Sequence, residues 1–217
     1  MRSERENISV QLVWDQMKSG DEQALSKLFV YFYSDLYQYG IKIFNLPDLV
    51  KDSIQDVFSR IWEKRVTLGD ARNPKAYLIA SLRRKLFQNS ELQHTRFTDE
   101  LLSDDEKLNF SFELSDFMER EELSKQLQQS LIQSINALTA RQRELIFLRF
   151  YHRLKYLEIA QVMNVNEQTV RNLMQRSLAK LRDKIDPELW EGVDYADGII
   201  LTLFLIFQKK DQITLVH

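Results

Sequence analysis

The chain has no cysteine, and among its 217 residues only five are glycine, three are proline and three are histidine (His94, His152 and His217). Missing thiols exclude disulfide frameworks, thiolate metal sites and cysteine nucleophiles, and they fit a reducing interior. Carboxylates are plentiful, but they follow helix surfaces and caps rather than gathering with the histidines, and no phosphate-cradling glycine loop occurs. No catalytic residue, metal or cofactor is therefore expected. Long hydrophobic runs are missing too: the longest, Ile199 to Phe207 broken by Thr202, is far short of the roughly 20 residues that span a bilayer. The start, M-R-S-E-R-E-N, lacks the apolar core of a signal peptide. The expectation is a cytoplasmic protein without membrane insertion.

What is present is a composition able to build a core, 44% hydrophobic and 11% aromatic. Few breakers and no alternation of apolar with polar residues predict an all-α fold. A short helix covers about Ser9 to Ser19 and stops at Gly20; Asp21 caps a longer one to about Phe44, and Pro47 marks a break. From Asp48 to about Arg65, Val50, Ile54, Val57, Phe58, Ile61 and Trp62 recur at the spacing of a buried helical stripe. Val66 to Arg72 reads as a loop. Asn73-Pro74 pairs a cap with proline at the first helical position and starts a helix to about Asn89. Residues 90 to 112, polar and acidic with few periodic apolar positions, read as a flexible linker. A helix from about Ser115 to Ala137 follows, and Thr139-Ala-Arg-Gln142 is a capping box that opens the next.

The stretch Y-L-E-I-A-Q-V-M-N-V-N-E-Q-T-V-R-N-L-M-Q-R, Tyr156 to Arg176, has the spacing of two short helices and a tight turn. Ile159, Ala160 and Val162 give the first an apolar face. Asn164 falls at the turn, where asparagine tolerates a left-handed backbone. Asn166 is placed to cap the second helix, with Val170 and Leu173 on its inner side. The outer side carries Gln168, Thr169, Arg171, Asn172, Gln175 and Arg176, side chains able to meet base edges and phosphates in a major groove. The bland alternative is a helical hairpin whose polar face merely meets water. The helix continues to about Lys184, and Asp186-Pro187 ends it.

A net charge of −2 hides a blocky distribution. Arg60 to Phe87 holds eight bases against two acids and Thr139 to Ile185 ten against four, +6 each; Asn89 to Glu122 holds eleven acids against three bases, −8, and the tail from Asp186 six against two, −4. Two basic modules suited to phosphate are joined by a connector that repels or mimics nucleic acid, unless that acidity is simple solvation of an exposed segment.

The N-terminal strings A-L-S-K-L-F-V-Y-F-Y, D-S-I-Q-D-V-F-S-R-I-W-E-K and N-P-K-A-Y-L-I-A-S-L-R-R-K-L, with the C-terminal L-T-A-R-Q-R-E-L-I-F-L-R-F, the helix-turn-helix and S-L-A-K-L-R, resemble the extracytoplasmic-function group of bacterial sigma-70 family sigma factors. The resemblance covers most of the chain. It implies two small helical domains, sigma region 2 over 1–90 and sigma region 4 over 115–186 with the helix-turn-helix at 155–176, joined by an acidic linker at 91–114 and followed by an apolar extension at 187–217.

What the resemblance implies is an alternative sigma factor that binds core RNA polymerase through the largest-subunit clamp and the flap, directs it to promoter DNA and promotes melting. An anti-sigma factor is a further candidate partner. Asp52, Gln55, Asp56 and Arg60, opposite the apolar stripe, become the polymerase-docking set, whereas the family aromatics Phe58 and Trp62 fall at core spacing. Tyr77, Arg83, Arg84, Lys85 and Gln88 become the minus-ten set on a helix that opens the duplex, and the loop 66–73 resembles the segment that captures a flipped base. Many members carry Arg-Asn where this chain has Arg83-Arg84, and an acidic or amide residue at the position of Gln88, which bears on base preference. Glu167, Gln168, Thr169, Arg171, Asn172, Gln175 and Arg176 become the minus-thirty-five set. The extension, with Ile199 to Phe207 too apolar to stay exposed, is expected to bury on this protein's own domains or on a partner. The alternative reading is a stand-alone helix-turn-helix regulator that is no polymerase subunit.

Overall fold

The computed structural model describes residues 2–69, 72–94, 110, 112 and 125–184. Most of the acidic linker 91–114, the start of the helix expected from Ser115, and the extension 187–217 lie outside the described residues. Every described element is helical: α1 (Arg2–Lys18), α2 (Glu22–Ile43), α3 (Pro47–Glu63), a 3-10 turn (Arg65–Thr67), α4 (Pro74–His94), α5 (Lys125–Asn136), α6 (Ala140–Ile146), a π-helical turn (Phe147–Tyr151), α7 (Tyr156–Met163) and α8 (Glu167–Lys184). They belong to two compact units, centred on residues 1–109 and on 110–160 with 165–217.

In the N-terminal unit α2 packs on α1, α3 and α4, and α3 on α4. Gly20 ends the first helix at φ 98°, a conformation open to glycine. Asp21 then accepts from the backbone N–H groups of Gln23 at 2.8 Å and Ala24 at 3.2 Å, a cap worth about 1 kcal/mol. The stripe on α3 is buried at Val50, Ile54, Val57, Phe58 and Ile61, each side chain contributing about 1.5–3 kcal/mol of burial. Close approach of α2 to α3 depends on Gly40, where an added Cβ would stand 2.5 Å from Val50 Cγ1. Phe58 meets Phe29 edge to face at 5.0 Å between centroids. Trp62, expected in the core, is only half-buried and carries the Arg65 guanidinium 4.3 Å from its ring. It lies in the last turn of α3, where helical spacing alone does not secure burial.

The C-terminal unit packs α8 on α5 and α6. The expected capping box is present, with Gln142 N–H on Thr139 Oγ1 at 3.3 Å and Thr139 N–H on Gln142 Oε1 at 3.1 Å. Phe110 and Phe112, near the end of the segment read as a flexible linker, are both buried, so at these two residues the chain is packed. Their rings lie 5.4 and 6.0 Å from Phe147. Asn136 receives the Phe112 N–H at 3.0 Å and donates to its carbonyl at 2.8 Å. Arg143 donates to the carbonyls of Phe110, Asn136 and Leu138, and burial pulls its guanidinium below the ordinary arginine value. An aromatic, a serine and an aromatic alternate in a way that helical periodicity does not score, and here Phe110 and Phe112 are fastened by side-chain hydrogen bonds to their backbone instead.

Candidate nucleic-acid and polymerase interface

The turn between α7 and α8 is built as its residues dictate. Asn164 adopts φ 53° and Val165 N–H bonds to the Ala160 carbonyl at 3.0 Å, so the chain reverses without stranding that carbonyl. Asn166 Oδ1 accepts both the Thr169 N–H at 2.7 Å and the Thr169 hydroxyl at 2.8 Å, which fixes the first turn of α8. Ile159, Ala160, Val162 and Met163 are buried on α7. On α8 the buried line is Val170, Met174, Ser177 and Leu181. Leu173 is half-buried and Met174 holds the core position instead; steps of three and four both fit the helical period, and packing chose four.

Opposite that line, Gln168, Arg171, Asn172, Gln175 and Arg176 are exposed, with Glu167 and Thr169 half-exposed. The expected minus-thirty-five set thus shares one solvent face. Its side chains satisfy one another along the helix: Arg171 is ion-paired with Glu167, Gln168 Nε2 donates to Asn172 Oδ1 at 2.9 Å, and Arg176 Nε donates to the Asn172 carbonyl at 3.3 Å. Such contacts one turn apart are worth only about 0.2–0.5 kcal/mol each, so exchanging them for the groups of a ligand would cost little.

On α3, Asp52, Gln55, Asp56 and Arg60 are all exposed on the face away from the buried stripe. Asp56 is joined to Lys85 of α4 at 2.7 Å, a link between two residues that the sequence reading placed in separate sets. Lys75 of α4 likewise meets Asp35 of α2 at 3.0 Å.

The minus-ten set is less uniform. Arg84 and Gln88 are exposed and Lys85 and Tyr77 half-exposed, but Arg83 is 8% exposed, with its guanidinium 4.6 Å from the Phe87 ring. Arg83 is therefore a packing residue of α4 and is not presented to a strand in solution. The run Arg83-Arg84-Lys85 wraps around the helix at 100° steps, and one member had to fall inward. Tyr77 stands edge to face with buried Trp14 at 5.6 Å, which holds the ring on α1. In the loop 66–73, Val66 is 81% exposed and Thr67 bonds back to the Lys64 carbonyl at 3.0 Å; residues 70 and 71 lie outside the described residues.

One feature beside α7 was not read from the sequence. Arg149 in the π-helical turn and Arg171 on α8 lie with their guanidinium carbons 5.2 and 5.0 Å from the ring of Tyr156. A tyrosine ahead of E-I-A signals it only when both arginines are known to converge there. Among the described residues no group of histidine and carboxylate side chains is arranged to hold a metal ion, and no helix is long and apolar enough to cross a membrane.

Residues 128–181 match the family model for sigma-70, region 4. Among solved structures, the chain is similar to CnrH in complex with the cytosolic domain of CnrY, at 18% identity and a TM-score of 0.51 over 80% of this chain and 94% of that one. It is also similar to the sigma factor RpoE in complex with the anti-sigma factor NepR from Bartonella quintana, at 20% identity and a TM-score of 0.50 over 73% and 94%. No curated protein matches the chain in sequence. The chain thus carries a sigma-70 region 4 domain, and its all-helical fold is like those of CnrH and the sigma factor RpoE.

Proposed function

We propose that the protein is an alternative sigma factor, which binds core RNA polymerase, carries it to particular promoters and promotes opening of the duplex. The observation that carries this reading is the pairing of a region 4 helix-turn-helix, its polar face solvent-exposed along α8, with an N-terminal helical unit that has exposed charged residues of its own. The division of labour follows 1–90 as region 2, 91–114 as linker and 115–186 as region 4.

Asp52, Gln55, Asp56 and Arg60 dock on the polymerase clamp, and region 4 meets the flap while Glu167, Gln168, Thr169, Arg171, Asn172, Gln175 and Arg176 read the minus-thirty-five element in the major groove. Tyr77, Arg84, Lys85 and Gln88 face the minus-ten element, where stacking and charge favour unpaired bases over the closed duplex. Binding that favours the open form shifts the equilibrium toward it; all covalent chemistry belongs to the polymerase. The protein acts in the cytoplasm, where polymerase and promoter meet. A protein inhibitor is a candidate partner, a reading supported by the anti-sigma factor in the similar RpoE structure.

Co-purification tests the reading. The full chain should be retained on purified core polymerase, and Asp52→Lys with Arg60→Glu should weaken retention while leaving the circular-dichroism melt unchanged. A chain that binds promoter duplex tightly by itself and ignores core polymerase would instead be the stand-alone regulator.

A further inference from the structure

Arg171 is the exposed arginine of the reading helix with two restraints on its head group, and only one of them lies on its own helix. Glu167 sits one turn back and pairs with it as any helical neighbour would. The second restraint is the ring of Tyr156, at the first turn of α7, 5.0 Å from the guanidinium carbon. Tyr156 is itself half-buried and backed by Arg149, 5.2 Å from the same ring. Arg149 is in turn fastened by a 3.0 Å hydrogen bond from Nη1 to the Leu154 carbonyl, just ahead of α7. The arrangement is a chain of supports, from the π-helical turn through an aromatic ring to the exposed side chain.

We propose that Tyr156 is a positioning residue for Arg171: held by Arg149, its ring presets the Arg171 guanidinium for one base pair and so sets base preference from outside the reading helix. The proposal rests on the reading of α8 as the minus-thirty-five helix. An arginine that contacts guanine through both nitrogens must lie in the base plane, and a free arginine loses most of its rotamer freedom to get there. A guanidinium held over a ring has surrendered part of that freedom before DNA arrives. Glu167 alone is a weaker guide, since a one-turn ion pair is screened by salt and competes with the base for the same donors. The aromatic face leaves the planar edge of the guanidinium, where its N–H donors lie, open to the groove.

The test uses the full chain bound to core polymerase, with a promoter selected by the wild-type chain from a randomised pool and single-base-pair variants across its minus-thirty-five element. Arg171→Ala identifies the base pair at which that side chain discriminates. Tyr156→Ala should reduce discrimination at that same pair by roughly two- to fivefold, the scale of an exposed cation–π contact, and leave other positions alone. Tyr156→Phe, which keeps the ring and removes the hydroxyl, should restore it. In an Arg171→Ala background, Tyr156→Ala should change nothing further at that pair.

Uniform loss across all base pairs, equal loss with and without Arg171, or failure of Tyr156→Phe to restore discrimination would overturn the proposal and leave Tyr156 a structural or phosphate-binding residue. Failure of the wild-type complex to discriminate between any of the variants would overturn both the proposal and the reading of α8. Loss of the proposed effect alone, with Arg171 still discriminating, would leave the sigma-factor reading standing.

Discussion

The two units hold their charged side chains in different ways. In the N-terminal unit the described ion pairs that bridge elements tie one helix to another, Asp56 to Lys85 and Asp35 to Lys75, and Arg83 is folded inward against Phe87. On α8 the hydrogen bonds and ion pairs of the exposed face run along a single helix, Glu167 to Arg171 and Gln168 to Asn172, while Arg171 also meets the Tyr156 ring of α7. A contact within one helix is kept by local geometry and yields to a ligand without moving the fold; a contact between helices helps to set their packing. The exposed face of α8 is thus held mainly by contacts that can be exchanged without moving the fold, whereas Asp56, Lys85, Asp35 and Lys75 are already joined between helices of the N-terminal unit.

Three experiments sharpen that comparison. The largest effect is expected from Phe147→Ala, because its ring is the shared surface for Phe110 and Phe112; stability should fall by about 3–5 kcal/mol in urea titration. A loss under about 1 kcal/mol would mean that the docked segment contributes little. Next, Arg171→Ala should lose about 1–3 kcal/mol at one base pair of the promoter, read from the affinities of the polymerase complex for single-base variants, with the melting temperature unmoved. An equal loss at every sequence would mark a phosphate contact. Smallest is the Asp56–Lys85 pair, partly exposed on both sides: a double-mutant cycle with Asp56→Asn and Lys85→Met should give a coupling of only about 0.2–1 kcal/mol that shrinks as salt is raised. Coupling that survives high salt would assign the pair more structural weight than its exposure suggests.

Legibility in the sequence follows the same division. Signals that depend on one helix or one turn were readable: the Asp21 cap, the Thr139-Gln142 capping box, Asn164 at the left-handed turn, the stripe on α3 and the polar face of α8. What the sequence hid were outcomes decided between elements. Periodicity could not tell that Arg83 rather than Arg84 turns inward, that Trp62 stays half-exposed, or that Met174 rather than Leu173 fills the core. Nor could composition separate Phe110 and Phe112 from the acidic residues around them, since their anchoring depends on Asn136 and Arg143, 24 and 33 residues away. The Tyr156 support is of this second kind, built from three elements that no local window contains.

Transcription reconstituted from purified components tests the central claim most directly. Core polymerase with this chain, on a pool of genomic promoter fragments, should yield transcripts whose start sites share two spaced elements and disappear when the chain is omitted. Transcripts that start at the same places with and without the chain would contradict the account.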